Sequence, residues 1–259
     1  MAGDAAGAIA AFRRLQKPGE EARALERIAR EPQQARALEQ FRRAVERAPD
    51  ARAALRDPRV LGVLATALGI PDAAGQPGLA QRALLADPTE PESLVNRLPD
   101  KRWKAAAETL RLDRRGIAAL RDPELQARLA EGLRRARLRE AQEASQPGLG
   151  DAMLFLESAP RAQGPYGVLG NPVLRRVVTT ALGLPRELAL QSVEAQARAL
   201  EARLDLAKLR EPREVQRLAE RYLIARAGEA VGAGGSALPG FGTGAGLMAT
   251  LFPPGGLRV

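Results

Sequence analysis

One sixteen-residue phrase occurs twice in the chain, and both copies carry signals for a helix of about three turns. RDPRVLGVLATALGIP at residues 56–71 returns 114 residues later as GNPVLRRVVTTALGLP at residues 170–185, and seven of the fifteen positions from 57 to 71 are identical. Each copy begins with Asp-Pro or Asn-Pro and ends with Gly-x-Pro, which favours a helix start and then a stop. The apolar faces are Val60, Val63, Leu64, Ala67 and Leu68 in the first copy, and Leu174, Val177, Val178, Ala181 and Leu182 in the second. The repeat therefore predicts a duplicated helical element.

An acid or Asn followed by Pro recurs along the whole chain. It is found at Glu31-Pro32, Asp57-Pro58, Asp87-Pro88, Asp122-Pro123, Asn171-Pro172 and Glu211-Pro212. A carboxylate or amide at the N-cap accepts a backbone N–H that has no helical partner, and Pro at the first helical position loses no hydrogen bond. The pattern predicts six helix starts, and paired carboxylates in a functional site are the alternative interpretation.

A second helical element occurs three times and suggests how the chain is organised. Its copies are REPQQARALEQFRRA from Arg30, RDPELQARLAEGLRRA from Arg121 and REPREVQRLAERYLIA from Arg210. In the last copy Val215, Leu218, Tyr222 and Leu223 form the predicted inward face. We expect two related helical units, 25–143 and 171–227, after a partly helical segment 1–24. Residues 144–170 are expected to connect them with one short helix, and residues 228–259 form a glycine-rich tail.

The residue types favour an all-α fold and exclude several kinds of site. Aromatic residues make up 3% of the chain, so the core must consist of Leu, Val and Ala, which with Arg and Glu favour helix over strand. The chain has no Cys and no His, which excludes disulfides, zinc–thiolate sites and Ser–His catalysis. We therefore expect no cofactor, although carboxylate metal sites and carboxylate acid–base chemistry remain open.

The net charge of +9 rests on 36 Arg against only 4 Lys. The densest cluster is Arg134, Arg135, Arg137 and Arg139. One interpretation is a nucleic-acid-binding module, and the other is a solvated Arg/Glu helix surface, since acids are interleaved along most of the chain. The cluster lacks the aromatic side chains on which single-stranded nucleic acids stack, which argues against nucleic acid as a partner.

The phrase SLVNRLPDKRW at residues 93–103 contains the polar residues that a carboxylate enzyme would use. They are Asn96, Arg97, Asp100 and Arg102. The alternative is structural: the Asn-Arg pair ties a loop to backbone carbonyls, and Asp100 caps a helix whose inner face is Trp103, Ala106, Ala107 and Leu110. Trp103 is then a core anchor. A further helix, capped by Ser192, is predicted from Val193, Ala197, Leu200 and Leu204.

Residues 228–259 break the helical pattern, with ten Gly among 32 residues. Such a composition predicts a mobile tail without a stable fold. Its apolar residues, among them Phe241 and Phe252, favour the alternative of a segment that orders on a partner.

Five stretches resemble a bacterial family, the domain of unknown function 1217, which is often encoded among flagellar genes of alphaproteobacteria. They are FRRAV (41–45), LRDPRVLGVLATALGIPD (55–72), DPTEPESLVNRLPDKRW (87–103), YGVLGNPVLRRVVTTALGLP (166–185) and REPREVQRLAERYL (210–223). The resemblance spans residues 25–225 and implies an all-helical fold and a role tied to the flagellum, without catalytic residues to carry over. Gly75, Pro77 and Gly78 interrupt a helix expected at 73–85, and the tail also departs from the family, which is consistent with a diverged paralogue.

The leading hypothesis is a non-enzymatic helical protein that contacts other proteins, flagellar ones in particular. The chain shows no charged region ahead of its short Ala-rich N-terminal run and no stretch of 18 apolar residues, so neither a cleavable signal peptide nor a membrane span is expected. We therefore expect a cytoplasmic or flagellum-associated location. An Arg-rich nucleic-acid-binding module and a carboxylate enzyme are the alternatives.

Overall fold

The computed structural model describes residues 5–234, with side chains to residue 229, and all regular secondary structure in that part of the chain is helical. The α-helices are α1 (Ala5–Leu15), α2 (Glu20–Ala29), α3 (Pro32–Arg47), α4 (Ala51–Ala54), α5 (Pro58–Ala67), α6 (Pro77–Leu84), α7 (Leu94–Arg97), α8 (Arg102–Leu110), α9 (Leu112–Arg115), α10 (Ile117–Arg121), α11 (Pro123–Ser145), α12 (Leu149–Ser158), α13 (Gly164–Leu169), α14 (Pro172–Ala181), α15 (Val193–Glu201) and α16 (Pro212–Gly234). Short 3₁₀ helices occupy Pro71–Gly75, Ala159–Arg161, Arg186–Leu190 and Leu206–Arg210. The all-α prediction is confirmed.

Both copies of the repeated phrase form the predicted helix, α5 and α14, and both begin with a side-chain cap. The Asp57 carboxylate accepts the backbone N–H of Arg59 at 2.9 Å, and the Asn171 side-chain oxygen accepts that of Val173 at 3.0 Å. The Arg59 guanidinium also donates to Asp57, and this bond lowers the pKa of the Asp57 carboxyl.

Both helices also end as predicted. Gly69 and Gly183 have φ of 70° and 61°, the left-handed region in which a side chain is disfavoured. The next N–H groups, of Ile70 and Leu184, donate to carbonyls five residues back at 2.8 and 2.9 Å. These bonds are typical of a helix that stops at a left-handed glycine.

Three further acid–Pro pairs begin helices, but Asp87-Pro88 does not. Helices α3, α11 and α16 begin at Pro32, Pro123 and Pro212. The Asp87 carboxylate instead accepts the backbone N–H and the hydroxyl of Thr89 at 2.8 and 2.6 Å, in the turn before α7. The prediction of a helix start at residue 88 was wrong: the chain forms a turn there, because these local hydrogen bonds satisfy the carboxylate without a helix.

The buried apolar residues form two main clusters, one in each half of the chain. In the first, α5 packs against α3 and α11; in the second, α14 packs against α12 and α16. The first helix of the chain, α1, belongs to the second cluster through Ala8 and Phe12. A small third cluster joins α2, α11 and α12 through Ala24, Ile28, Leu138 and Met153.

Two segments and one side chain differ from the sequence-based expectation. Residues 144–170 contain two α-helices rather than one, and Leu149, Ala152 and Phe155 of α12 are fully buried in the second cluster. Helix α16 continues to Gly234, so the segment from residue 228 begins as helix. Val193, expected on the inner face of α15, is 50% exposed.

Candidate functional site

The phrase at residues 93–103 forms α7, a short loop and the start of α8. The Asn96 side-chain amide donates to the carbonyl oxygens of Pro88 and Glu90 at 3.1 and 2.6 Å. It therefore ties the preceding turn to α7, as the structural interpretation of this residue predicted. Arg97 is exposed and donates no side-chain hydrogen bond within the described residues.

Arg102 connects the start of α8 to the end of α5. Its guanidinium donates to the Asp100 carboxylate at 2.7 Å and to the carbonyl oxygen of Gly69 at 2.9 Å, and its side chain is only 15% exposed. The Asp100 carboxylate also accepts the backbone N–H of Arg102 at 2.9 Å. Asp100 and Arg102 thus hold the repeated phrase in place, and both Asp100 oxygens are engaged by one arginine.

Two neighbouring residues fix the same segment to the two halves of the molecule. Trp103 is 5% exposed within the first cluster, as predicted for a core anchor. The backbone N–H of Lys101 donates to the carbonyl oxygen of Gly170 at 2.9 Å, just before α14. The phrase therefore lies at the junction between the first copy of the repeat, which ends near Gly69, and the second, which begins at Gly170.

The four arginines of the Arg134 to Arg139 cluster lie on α11, and each faces a carboxylate of the same chain. Arg134 and Arg135 donate to Glu131 at 3.4 and 3.0 Å. Arg137 and Arg139 pair with Glu140 at 2.9 Å and with Glu157 at 3.4 Å. Burial lowers the pKa of Arg139. These pairs reduce the positive charge available to a polyanion, and the pair with Glu157 also links α11 to α12.

A polar network that joins the buried Tyr222 of α16 to α12 and to the exposed Arg176 of α14 was missed by sequence reasoning. The Tyr222 hydroxyl donates to the Asp151 carboxylate at 2.8 Å, and Arg176 donates to both Asp151 oxygens at 2.6 and 2.7 Å. Burial raises the pKa of Tyr222. The apolar stripe of α16 correctly predicted that Tyr222 points inward, but no sequence signal paired its hydroxyl with Asp151, 71 residues away.

Two open grooves lie on the described surface. One, of about 660 Å³, runs along α3 and brings Arg134 near Arg36, Arg42 and Arg43. The other, of about 340 Å³, lies between α14, the 3₁₀ helix Arg186–Leu190 and α15. Leu190, next to the second groove, is 88% exposed.

Residues 5–234 contain no group of three acidic side chains placed to hold a metal ion. Across the same residues, every helix is too short or too polar to cross a bilayer. Phe241 and Phe252 lie outside the described residues, as does most of the segment expected to be a tail.

Comparison with known proteins gave one family and one solved structure. The model of a family described as a protein of unknown function, DUF1217, matches residues 67–215. The crystal structure of a protein from Agrobacterium tumefaciens is similar with a TM-score of 0.73 and 21% identity, over 87% of this chain and 95% of that one. At this identity the likeness concerns the fold alone. No curated protein matches the chain.

Proposed function

The chain belongs to the DUF1217 family of proteins of unknown function, and from this premise we propose that it is a non-enzymatic helical protein that acts by binding other proteins. The observation that carries the proposal is the pair of large apolar side chains, Leu190 and Val193, exposed by 88% and 50% at the entry to α15. Contiguous apolar patches on a protein surface mark contact sites, and these two side chains are only three residues apart.

The use of the polar residues supports a non-enzymatic role. Asn96, Asp100 and Arg102, the side chains that a carboxylate enzyme would have used, are engaged in holding loops and helix ends. A general acid or base must reach a substrate proton within hydrogen-bond distance. Asp100 is committed to Arg102 through both oxygens, which leaves it a poor candidate for that task.

The nucleic-acid alternative receives less support from the same geometry. The arginines that motivated it pair with Glu131, Glu140 and Glu157. Binding to phosphates depends on cations that displace counterions, and cations already paired with carboxylates contribute less to that exchange.

We place this protein-binding role in flagellar assembly or structure, because the phrases at 55–72, 87–103 and 166–185 resemble a family often encoded among flagellar genes. Deleting the gene in its host should shrink the swimming halo in soft agar and reduce or shorten the filaments seen by electron microscopy. Expression of the full chain from a plasmid should restore both. Swimming and filaments equal to the parent strain would contradict the flagellar role.

A further inference from the structure

The groove between α14 and α15 exists because the two copies of the repeated phrase are covered differently. In the first copy the 3₁₀ helix Pro71–Gly75 packs directly against α5, and Ala73 is fully buried. The corresponding 3₁₀ helix Arg186–Leu190 packs against α15 and has no comparable packing against α14. One face of α14 is therefore left open.

Two exposed or half-buried positions of α14 also differ in residue type from their counterparts on α5. With the shift of 114 residues, Leu61 and Ala65 correspond to Arg175 and Thr179. Leu61 and Ala65 are 4% and 1% exposed, whereas Arg175 is exposed and Thr179 is half-buried. The second copy thus presents a polar helix face to solvent where the first presents an apolar face to its own chain.

The charge of the groove has one sign. Arg175, Arg176 and Arg186 line it, and no Asp or Glu is among its lining residues in the described part of the chain. Arg176 is neutralised by Asp151 at 2.6 Å and Arg186 by Glu229 at 2.9 Å. The Arg175 guanidinium has no hydrogen-bond or ion-pair partner within residues 5–229, so it is available to a carboxylate from outside.

Two exposed apolar residues adjoin the lining residues of the groove in sequence. Leu190 directly follows Ala189, which lines the groove, and Val193 lies one turn before Gln196, another lining residue. An occupant that satisfies Arg175 and also covers these two side chains must carry both carboxylates and apolar groups. A nucleic-acid backbone supplies the charge but gives Leu190 and Val193 nothing to pack against.

We propose that the groove between α14 and α15 docks a peptide segment of a partner protein in which apolar side chains alternate with carboxylates. The proposal rests on the protein-binding function proposed above and names its surface. The apolar side chains of the segment cover Leu190 and Val193, and one of its carboxylates pairs with Arg175.

The test uses the full chain and a fluorescein-labelled peptide of roughly 12 residues in which Leu and Glu alternate. Two further peptides have every Glu replaced by Gln or by Lys. Fluorescence anisotropy should show the Glu peptide binding about tenfold more tightly than the Gln peptide. R175E and L190D should each weaken binding about tenfold. Their matched controls, R97E and I224D, change exposed residues that do not line the groove and should bind as the unchanged chain does. Circular dichroism should show equal helix content in all five proteins.

Four results would overturn the proposal. They are no binding of the Glu peptide at roughly 1 mM, equal losses in R175E and R97E, full competition by an unlabelled single-stranded oligonucleotide, and a sedimenting dimer that L190D dissociates. The first result would show that a peptide of this chemistry does not bind, and the second that the loss in R175E is not local to the groove. The third would show that the groove binds a polyanion and not a peptide. The fourth would show that the groove binds a second copy of the chain and not an outside partner.

The motility assay separates this proposal from the proposed function. If the deletion strain swims poorly and a strain carrying R175E with L190D swims normally, the groove is not the docking surface, while the flagellar role stands. If the double variant is folded and swims as poorly as the deletion strain, the groove carries the function.

Discussion

Arg102, Arg121 and Arg203 donate to carbonyl oxygens at or just past the ends of helices. The donor–acceptor distances are 2.9 Å from Arg102 to Gly69, 3.0 Å from Arg121 to Ala48 and 3.2 Å from Arg203 to Leu182. The last carbonyls of a helix lack partners within it, and a cation there also meets the negative end of the helix dipole. Part of the arginine content is therefore explained by helix ends, not by an external anion.

The role of Arg102 at the end of α5 can be tested by replacing it and by replacing Arg97 as a control. R102Q removes a charge-assisted bond to the Gly69 carbonyl and leaves the Asp100 carboxylate without its guanidinium, so we expect the free energy of unfolding to fall by about 2 kcal/mol. R97Q changes an exposed arginine of the same phrase and should alter it by less than about 0.5 kcal/mol. Urea titrations followed by circular dichroism measure both values, and equal effects would show that Arg102 does not act as a clamp.

The side-chain contacts that the sequence predicted are the local ones. Asp57 and Asn171 cap their helices two residues on, and Asn96 binds a carbonyl six residues back, so short spacings were enough to predict them. The bond from Arg102 to Gly69 spans 33 residues and that from Tyr222 to Asp151 spans 71. Such pairs depend on how helices pack, which periodicity in one segment does not specify.

At the scale of helices, α5 and α11 pack closely because α11 carries Gly132 where they cross. A Cβ atom on Gly132 would collide with the carbonyl oxygen of Ala67, which belongs to the backbone of α5 and cannot rotate away. Glycine permits this approach because it has no side chain. A Cβ atom on Gly62 of α5 would meet no atom within 4 Å, so Gly62 plays no such part.

The two glycines give opposite predictions for the same substitution. G132A should lower the free energy of unfolding by about 1–3 kcal/mol, because the helices must separate to admit the methyl group. G62A should raise it by about 0.5–1 kcal/mol, because alanine loses less backbone entropy in a helix. Thermal or urea unfolding of both variants measures the difference, and stabilisation by G132A would contradict the close crossing.

The sequence predicted where individual helices lie better than it predicted which of their residues are buried. Cap residues and periodicity placed α5, α8, α11 and α14 correctly, and also the start of α16. Pro and Gly flank α12, a pattern that favours a connector, yet Leu149 and Phe155 are fully buried. Val193 fits the apolar period of α15 but is exposed, since periodicity predicts which residues share a face and not whether that face is covered.

At the scale of the whole molecule, α11 joins the two halves. Leu125, Leu129 and Leu133 near its start belong to the first cluster, and Leu138 near its end belongs to the third, which reaches α12. The chain also closes on itself, because α1 packs against α16 and Arg13 pairs with Glu220 at 2.8 Å. No motif in the first 24 residues predicted that contact, which depends on the path of the whole chain.

The hydrogen bond from the Lys101 N–H to the Gly170 carbonyl is the direct link between the phrase at 93–103 and the second repeat, and Gly170 is where it can be tested. A Cβ on Gly170 would lie 3.0 Å from the carbonyl oxygens of Pro99 and Tyr166, so alanine there must push the two segments apart. A Cβ on Gly167, in the preceding helix α13, would meet nothing closer than 3.4 Å.

We expect the Lys101 amide to exchange its hydrogen about tenfold faster in G170A, equivalent to about 1.4 kcal/mol of lost protection, and at an unchanged rate in G167A. Hydrogen exchange resolved to the peptide containing residues 99–103 measures both rates. Equal rates in the two variants would mean that the junction at Gly170 contributes nothing measurable to the docking of the two halves.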